Sequence, residues 1–295
     1  MSVDFLSIDF DFFVWNGVEA KERDVSFLSK QTGKEETIPS VYLFDWGHSE
    51  SFSSEVQDFI WQTRYDAFAT VGVDPVKVCD AHAYKDTVSV DSFLNSINKR
   101  FYFAGDYEFF YADSHAHGYS ALQEAYCGDP LNVVHFDAHG DLGYDSSVVA
   151  NEKKKGVLDC GSWLYHGISA GLVKSATIVY PDWKGLAEFS PDGNWEPPEH
   201  IVALESCGSV NFTCWSDWVS KEPERSRVST VFSCRSSAWT PPWMDFQAEA
   251  LFEGLSGGEG VCLDCNEGYQ KIGGHDACKK RPFYPSPNLM VANNT

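Results

Sequence analysis

Residues 133–141 read Val-Val-His-Phe-Asp-Ala-His-Gly-Asp, an apolar run followed at once by polar residues on alternate positions. The run is short enough to be a buried strand, and successive side chains of a strand point to opposite faces. We therefore expect Asp137, His139 and Asp141 to point the same way where this strand ends. Two carboxylates and one imidazole suit Mn²⁺ or a similar ion, whereas a closed structural zinc site prefers thiolates and imidazoles. The stretch predicts a metal site at the end of a buried strand.

A second acidic strand is predicted for residues 5–13, which read Phe-Leu-Ser-Ile-Asp-Phe-Asp-Phe-Phe. Asp9 and Asp11 would share one face of this strand, opposite the large apolar residues. Unpaired carboxylates are costly to bury in such surroundings, so a cation must neutralise them. The two strands together offer four aspartates and one histidine, which are enough ligands for two bridged metal ions.

The rest of the chain alternates between strand-like and helix-like segments, which is typical of βαβ units. Helix-like periodicity covers residues 55–62, 92–97 and 119–126, and strand-like runs cover residues 177–180 and 228–232. We expect an α/β fold with a single doubly wound, mostly parallel sheet that is flanked by helices.

Domain organisation follows from length and from a change in pattern after Asp245. At 295 residues with 43% hydrophobic content, the chain can form one large core. We assign residues 1–245 to one α/β domain that carries the predicted metal site. Residues 246–295 are expected to form an irregular C-terminal extension, because the periodicity weakens and residues 254–274 are rich in glycine.

The formal net charge of −21 argues against nucleic acid as a partner, because phosphate-backbone binding needs concentrated lysine and arginine. The same acidity would raise the local concentration of a cationic substrate, although a role in solubility explains it equally well. No apolar run approaches a membrane span, and residues 1–4 lack the basic region of a secretory signal. We therefore expect a cytoplasmic protein without a membrane partner.

The nine cysteines are an odd number scattered through the chain, which fits reduced thiols better than a disulfide framework. Cys262 and Cys265, with His275 and Cys278, form a candidate zinc site. One Cys-x-x-Cys pair is a weak zinc signal, so buried or free thiols are the favoured interpretation.

The two acidic motifs resemble those of a known superfamily. Asp-Ala-His-Gly-Asp at 137–141 and Ser-Ile-Asp-Phe-Asp at 7–11 are similar to the signature motifs of the arginase, or ureohydrolase, superfamily. Those enzymes hold a binuclear manganese centre with an Asp-x-His-x-Asp strand end, a Ser-x-Asp-x-Asp strand end and an earlier histidine. That histidine precedes the Asp-x-His-x-Asp motif in those enzymes, and the same spacing before Asp137 points to His115 in this chain, with His117 as the alternate. The resemblance implies two Mn²⁺ ions as the cofactor and these ligands: Asp9, Asp11, His115, Asp137, His139 and Asp141.

The order of the motifs along the chain indicates which family within the superfamily this chain resembles. The Ser-x-Asp-x-Asp strand follows the others in ordinary arginases, whereas here it precedes them, so the implied arginase-like fold has this strand permuted to the N-terminus. This order, together with residues 43–50, 160–163 and 234–243, is similar to that of the peptide arginases. Those relatives convert arginine side chains within ribosomally made precursor peptides to ornithine. The resemblance covers about residues 1–245 and implies an arginine-containing peptide as the substrate.

The implied chemistry is hydrolysis of a guanidinium group to give ornithine and urea. Two bridged cations lower the pKa of a shared water, so that a hydroxide nucleophile exists near neutrality. The resemblance also implies a guanidinium-binding carboxylate about forty residues after the Ser-x-Asp-x-Asp motif, which falls on residues 45–50. Glu50 is the predicted anchor, with His48 or Asp141 as the proton carrier. An ordinary loop that begins a serine-capped helix is the alternative for this segment.

A peptide substrate needs an open pocket mouth, which aromatic side chains can flank. The predicted substrate-binding residues are Asp45, Trp46, Glu50 and Trp163. Core packing is the alternative for each tryptophan.

Two other classes of protein remain open. A deacetylase of the histone-deacetylase type shares the implied fold but typically uses one zinc ion, and retention of Asp9, Asp11 and Asp141 argues against it. A catalytically silent metal- or peptide-binding protein is the third interpretation, and metal analysis after gentle purification would separate it from the two enzymes.

Overall fold

The structure is a computed structural model that describes residues 3–14, 24–39, 66–67, 69–73, 88–112, 114–143, 145–155, 158, 160–184, 197–222, 225–236, 240, 245–256, 259–263 and 271–273. In these ranges, no helix combines the length and the apolar character that a membrane span requires. Five cysteines of the described residues are not joined in a disulfide, namely Cys127, Cys160, Cys207, Cys214 and Cys234.

The strands, in chain order, are β1 (Phe5–Asp9), β2 (Asp24–Leu28), β3 (Glu35–Pro39), β4 (Phe101–Ala112), β5 (Leu131–Phe136), β6 (Val173–Tyr180), β7 (Val210–Cys214), β8 (Ser226–Cys234), β9 (Glu259–Cys262) and β10 (Lys271–Gly273). The helices are α1 (Val90–Arg100), α2 (Gly118–Ala125), α3 (Ser146–Lys155), α4 (Trp163–Ser169), α5 (Glu199–Ser206), α6 (Trp215–Ser220) and α7 (Asp245–Ser256).

Eight of these strands form one sheet in the order β10-β9-β4-β8-β1-β5-β6-β7. Neighbouring strands are parallel from β9 through to β7, and β10 runs antiparallel to β9 at the edge. β2 and β3 form a separate antiparallel pair. The predicted α/β fold with a mostly parallel sheet is confirmed.

Apolar side chains alternate between the two faces of the central strands, and both faces are covered. In β1, Leu6 and Ile8 join one apolar cluster, whereas Phe5 joins the other. Helices α1, α6 and α7 contribute to the first cluster, and helices α2, α4 and α5 contribute to the second. Burial on both faces explains why β1 and β5 read as nearly continuous apolar runs.

The segments predicted from periodicity fall on regular elements where the structure describes them. Residues 92–97 lie within α1, and the side chain of Ser89 caps this helix by accepting a backbone N–H of the first turn. Residues 119–125 lie within α2, and the two strand-like runs lie within β6 and β8. The helix-like residues 55–62 fall outside the described residues.

The prediction of an irregular extension after Asp245 is wrong for the part of it that the structure describes. Helix α7 buries Ala248, Leu251, Phe252 and Leu255, whose spacing is that of one face of a helix. β9 then pairs with β4, so the same sheet continues into this region. The glycines that suggested irregularity include Gly260. A Cβ atom at this position would lie 2.7 Å from Phe109 Cδ1, so the absence of a side chain lets β9 lie close to β4.

Candidate metal centre

Four neighbouring strands, β4, β8, β1 and β5, end at the same edge of the sheet because they are parallel. β1 ends at Asp9, β5 ends directly before Asp137, and His115 follows β4 after a short connection. The carboxyl edge of a parallel sheet is where α/β proteins bind their ligands. The structure brings all six predicted metal ligands together at this edge.

The backbone after β5 differs from the extended strand that the sequence predicted. β5 ends at Phe136, and Asp141 has a left-handed φ of 51°. The expectation that His139 and Asp141 share one strand face is therefore wrong. The turn sends them to opposite sides of Asp137, and each joins a different group of donor atoms.

The backbone after β1 also turns. Residues 10–13 form a single 3-10 turn, so the strand predicted over residues 5–13 stops at Asp9. Asp9 caps this turn, since Asp11 N donates to Asp9 Oδ1 at 2.9 Å. The second carboxylate oxygen of Asp9 accepts a hydrogen bond from Ser236 Oγ at 3.1 Å, which fixes the side chain from the end of β8.

A first donor group surrounds His115, whose side chain is buried. Its Nδ1 lies 2.8 Å from Asp9 Oδ2, 3.0 Å from Asp137 Oδ2 and 3.2 Å from Asp141 Oδ2. On the other side of the ring, Nε2 lies 2.8 Å from Ser7 Oγ in hydrogen-bond geometry. Nδ1 donates a hydrogen bond to Asp9 Oδ2, and loss of that proton, with Nε2 still donating to Ser7, would leave a lone pair on Nδ1 that can bind a metal ion.

A second donor group forms around His139. Its Nδ1 lies 2.8 Å from Asp11 Oδ2 and 3.4 Å from Asp137 Oδ1. The other oxygen of Asp11 accepts the backbone N–H of Ala138 at 3.1 Å, which ties the end of β1 to the turn after β5. Asp137 thus presents Oδ2 to the first group and Oδ1 to the second, as a bridging ligand would.

The spacing of these atoms fits donors that share an ion. Ions bound at about 2.1 Å place adjacent ligands roughly 3.0 Å apart in octahedral and roughly 3.4 Å apart in tetrahedral coordination. The imidazole nitrogens of both groups lie 2.8–3.4 Å from their carboxylate neighbours. Asp11 Oδ2 and Asp137 Oδ2 are buried without a hydrogen bond. These residues therefore suit metal ions, and two divalent cations would balance the charge of the four aspartates.

The aspartates at the ends of β1 and β5 have pKa values that move in opposite directions. Burial, together with the charges of Asp11 and Asp137, raises the pKa of Asp9 to about 8 against the opposing influence of His115. Burial also raises the pKa of Asp11. For Asp137, the upward effect of burial is outweighed by the surrounding histidines, which hold its pKa well below the usual range.

The histidines have raised pKa values. Burial and the nearby Lys184 act to lower the pKa of His139, but the carboxylates of Asp11 and Asp137 raise it to about 10. Burial is likewise outweighed at His115, whose pKa the surrounding aspartates raise well above the usual value. Without a metal ion, protons on the imidazoles supply part of the positive charge that the carboxylates need.

One further residue of this region, His135, is not among the ligands predicted from the sequence. His135 is fully buried in β5, and its Nε2 lies 3.1 Å from Asp137 Oδ2 and 3.6 Å from Asp141 Oδ2. His115, His135, Asp137 and Asp141 can each offer a donor atom within 4.8 Å of the others. The signal was present in the sequence, because position 135 precedes Asp137 by two residues and so faces the same side of the strand.

Trp163 does not occupy the place that we predicted for it. It is fully buried, its ring stacks on His115 at 5.1 Å, and Nε1 donates to Asp141 Oδ2 at 2.5 Å. The prediction that it flanks a substrate at the pocket mouth is wrong, because the indole lies behind the carboxylate that it orients. The alternate ligand His117 is only partly buried and belongs to neither donor group.

Other predicted site residues fall outside the described part of the chain. These are the candidate catalytic and substrate-binding residues Asp45, Trp46, His48 and Glu50, and the candidate zinc residues Cys265, His275 and Cys278. Cys262 lies at the end of β9, but its side chain is not described.

Comparisons of the chain with protein-family models, with curated proteins and with solved structures gave no match. The fold and the site therefore define the class: an α/β protein with a mostly parallel sheet and buried histidine–aspartate clusters that can bind metal ions.

Proposed function

We propose that this protein is a binuclear metal-dependent hydrolase that cleaves the guanidinium group of arginine within a peptide, giving ornithine and urea. One observation carries the proposal: two adjoining donor groups share Asp137 at the carboxyl edge of a parallel sheet. The motif resemblance to ureohydrolases supplies the reaction. Mn²⁺ is the proposed metal at both positions, because carboxylate and imidazole donors suit it.

The described residues have two proposed roles, to hold the metal ions and to orient the residues that hold them. Asp9, Asp11, Asp137 and Asp141, with His115 and His139, would hold the metal pair, which supplies an activated water at neutral pH when bound. Ser7 orients His115, and Trp163 orients Asp141 through Nε1.

The reaction adds the elements of water to the guanidinium group. An oxygen–carbon bond forms at the guanidinium carbon, the bond from that carbon to the arginine side-chain Nε breaks, and the leaving amine takes up a proton. Asp141 or His48 is the proposed proton carrier, and Glu50 the proposed guanidinium anchor. Asp45 and Trp46 are proposed to contact the substrate.

The direct test is turnover. Metal-free protein is reconstituted with Mn²⁺ and incubated with arginine-containing peptides, and mass spectrometry follows the loss of CH₂N₂ from each arginine, with urea measured separately. Release of acetate from acetyl-lysine peptides would instead indicate a deacetylase. Metal binding without either reaction would indicate a silent binding protein.

Substrate size tests the finer part of the proposal. A peptide arginase should turn over an arginine-containing peptide with a higher kcat/KM than free arginine. Equal values would remove the peptide specificity and leave the guanidine hydrolase in place.

Glu50 has its own test. A guanidinium anchor changed by Glu50→Gln should keep both metals and lose about 2–4 kcal/mol of transition-state stabilisation. Normal turnover would move the search for the anchor to Asp45 or Asp159.

A further inference from the structure

His135 is a buried imidazole without a hydrogen bond. Its side chain is completely shielded from solvent, and neither Nδ1 nor Nε2 has a hydrogen-bond partner. Nε2 approaches Asp137 Oδ2 to 3.1 Å, but the two groups are not aligned for a hydrogen bond. Burying a polar group is costly unless it has a hydrogen-bond or metal partner, so Nε2 of His135 needs a partner other than Asp137.

The surroundings hold the ring in one orientation. Its plane packs edge-on against His115, with ring centroids 5.0 Å apart, and against Trp163 at 5.5 Å. In this position Nε2 also lies 3.6 Å from Asp141 Oδ2. His115 Nδ1 approaches the same two oxygens to 3.0 and 3.2 Å, so two imidazoles and two carboxylates converge on one region.

We propose that His135 is a metal ligand, and that it makes the two metal positions chemically unequal. This inference rests on the binuclear centre of the proposed function, but not on the reaction. The position beside His115 and His135 has two imidazole donors, whereas the position beside Asp11 and Asp137 has only that of His139 among the described residues. Imidazole donors suit Zn²⁺, whereas carboxylate donors, which both positions have, suit Mn²⁺ and Mg²⁺. The second imidazole therefore makes the first position the tighter one when Zn²⁺ is offered, whereas two Mn²⁺ ions bind the two positions with more similar affinity.

The test measures metal binding without activity. Metal-free protein is titrated with Zn²⁺ and with Mn²⁺ by calorimetry, and the bound metal is counted by elemental analysis. Wild-type protein should bind Zn²⁺ in two classes that differ in affinity at least tenfold, with a smaller difference for Mn²⁺. His135→Gln and His135→Phe should each weaken the tight zinc class at least tenfold and leave the weaker class in place.

His166→Gln is the matched control, because His166 is also a buried histidine but pairs with Glu152 at 3.1 Å, apart from the donor groups. This variant should keep both zinc classes. Unchanged zinc binding in both His135 variants would overturn the inference. If neither variant folds, X-ray absorption on wild-type protein with one equivalent of Zn²⁺ decides: two coordinated imidazoles support a ligand role, and one overturns it.

The outcomes separate this inference from the proposed function. Wild-type protein that binds no metal overturns both. Unequal zinc sites that depend on His135, in a protein that does not hydrolyse arginine peptides, would support the ligand role and contradict the activity. Hydrolysis of arginine peptides, with unaltered zinc binding in the His135 variants, would support the activity and contradict the ligand role.

Discussion

β1 and β5 are neighbouring parallel strands that both lead into aspartates, yet the carboxylates at their ends lie in opposite electrostatic environments. Burial and like charge raise the pKa of Asp9, after β1, to about 8. At Asp137, after β5, the surrounding histidines overcome burial and hold the pKa well below the usual range. Three imidazoles approach Asp137, whereas only one approaches Asp9 and only one approaches Asp11 among the described residues, so the carboxylates that follow β1 depend more on a bound cation.

The largest effect should come from the shared carboxylate. Asp137→Asn removes charge from both donor groups at once, so we expect loss of both metals and a fall in peptide turnover of at least about 10³-fold. Elemental analysis and turnover measure this, with the exposed Asp129→Asn as the control. Two metals still bound to Asp137→Asn would show that Asp137 does not bridge.

The pH dependence of metal binding should be next in size. Folded, metal-free protein holds protons on His139, with a pKa of about 10, and on Asp9, with a pKa of about 8. Metal must displace these protons, so its affinity should rise from pH 6 to pH 9, by about tenfold per pH unit for each proton released. Calorimetry at pH 7 in buffers of different ionisation enthalpy should show more than one proton released. Heats that do not depend on the buffer would contradict these protonation states.

A smaller effect is expected from Trp163→Phe, which keeps the aromatic packing on His115 but removes the donor to Asp141. Metal affinity should fall by about tenfold, since the lost hydrogen bond orients a ligand rather than binding the ion. Trp218→Phe is the control, because that indole packs on Phe136 in the apolar core. Equal metal affinity in both variants would mean that Trp163 only fills space.

The smallest predicted effect is on thermal stability, and it should have opposite signs for the aspartates that follow the two strands. The pKa of Asp9 is raised above the ordinary 3.8, so its charged form destabilises the fold, fully so above pH 8. The pKa of Asp137 is lowered, so its charge stabilises the fold above the ordinary value, and this is lost only in acid. In metal-free protein at pH 9, Asp9→Asn should raise the Tm and Asp137→Asn should lower it, each by roughly 2–4 °C. Shifts of the same sign would remove the contrast between the strands.

Sequence predicted those parts of the molecule that depend on local pattern. The apolar runs that precede Asp9 and Asp137 are central parallel strands, and the spacing of His115 from the motif at residues 137–141 pointed to a histidine that lies at the site. Alternation predicts facing only while a strand continues. It therefore failed beyond Asp137, where the left-handed backbone of Asp141 redirects the chain.

Burial was the other quantity that sequence did not provide. A histidine in the core and a histidine that binds metal look alike in a sequence, so the apolar run around His135 predicts only a buried strand. Sequence places Trp163 at a pocket mouth, but the indole lies behind the site. Its position could not be predicted because its neighbours in space come from other parts of the chain. The helical spacing of α7 was readable, but nearby glycines outweighed it.

The central place of β1 has a consequence for synthesis. β1 precedes both of its neighbours in the chain: Ser233 Oγ of β8 donates to Ile8 O across 225 residues, and Ala138 N after β5 donates to Asp11 across 127. At translation rates of about 5–20 residues per second, β1 waits roughly 10–45 s for its second neighbour. During that time Phe5, Leu6 and Ile8 have no complete sheet to enter, and a chaperone that shields the nascent segment would prevent misassembly.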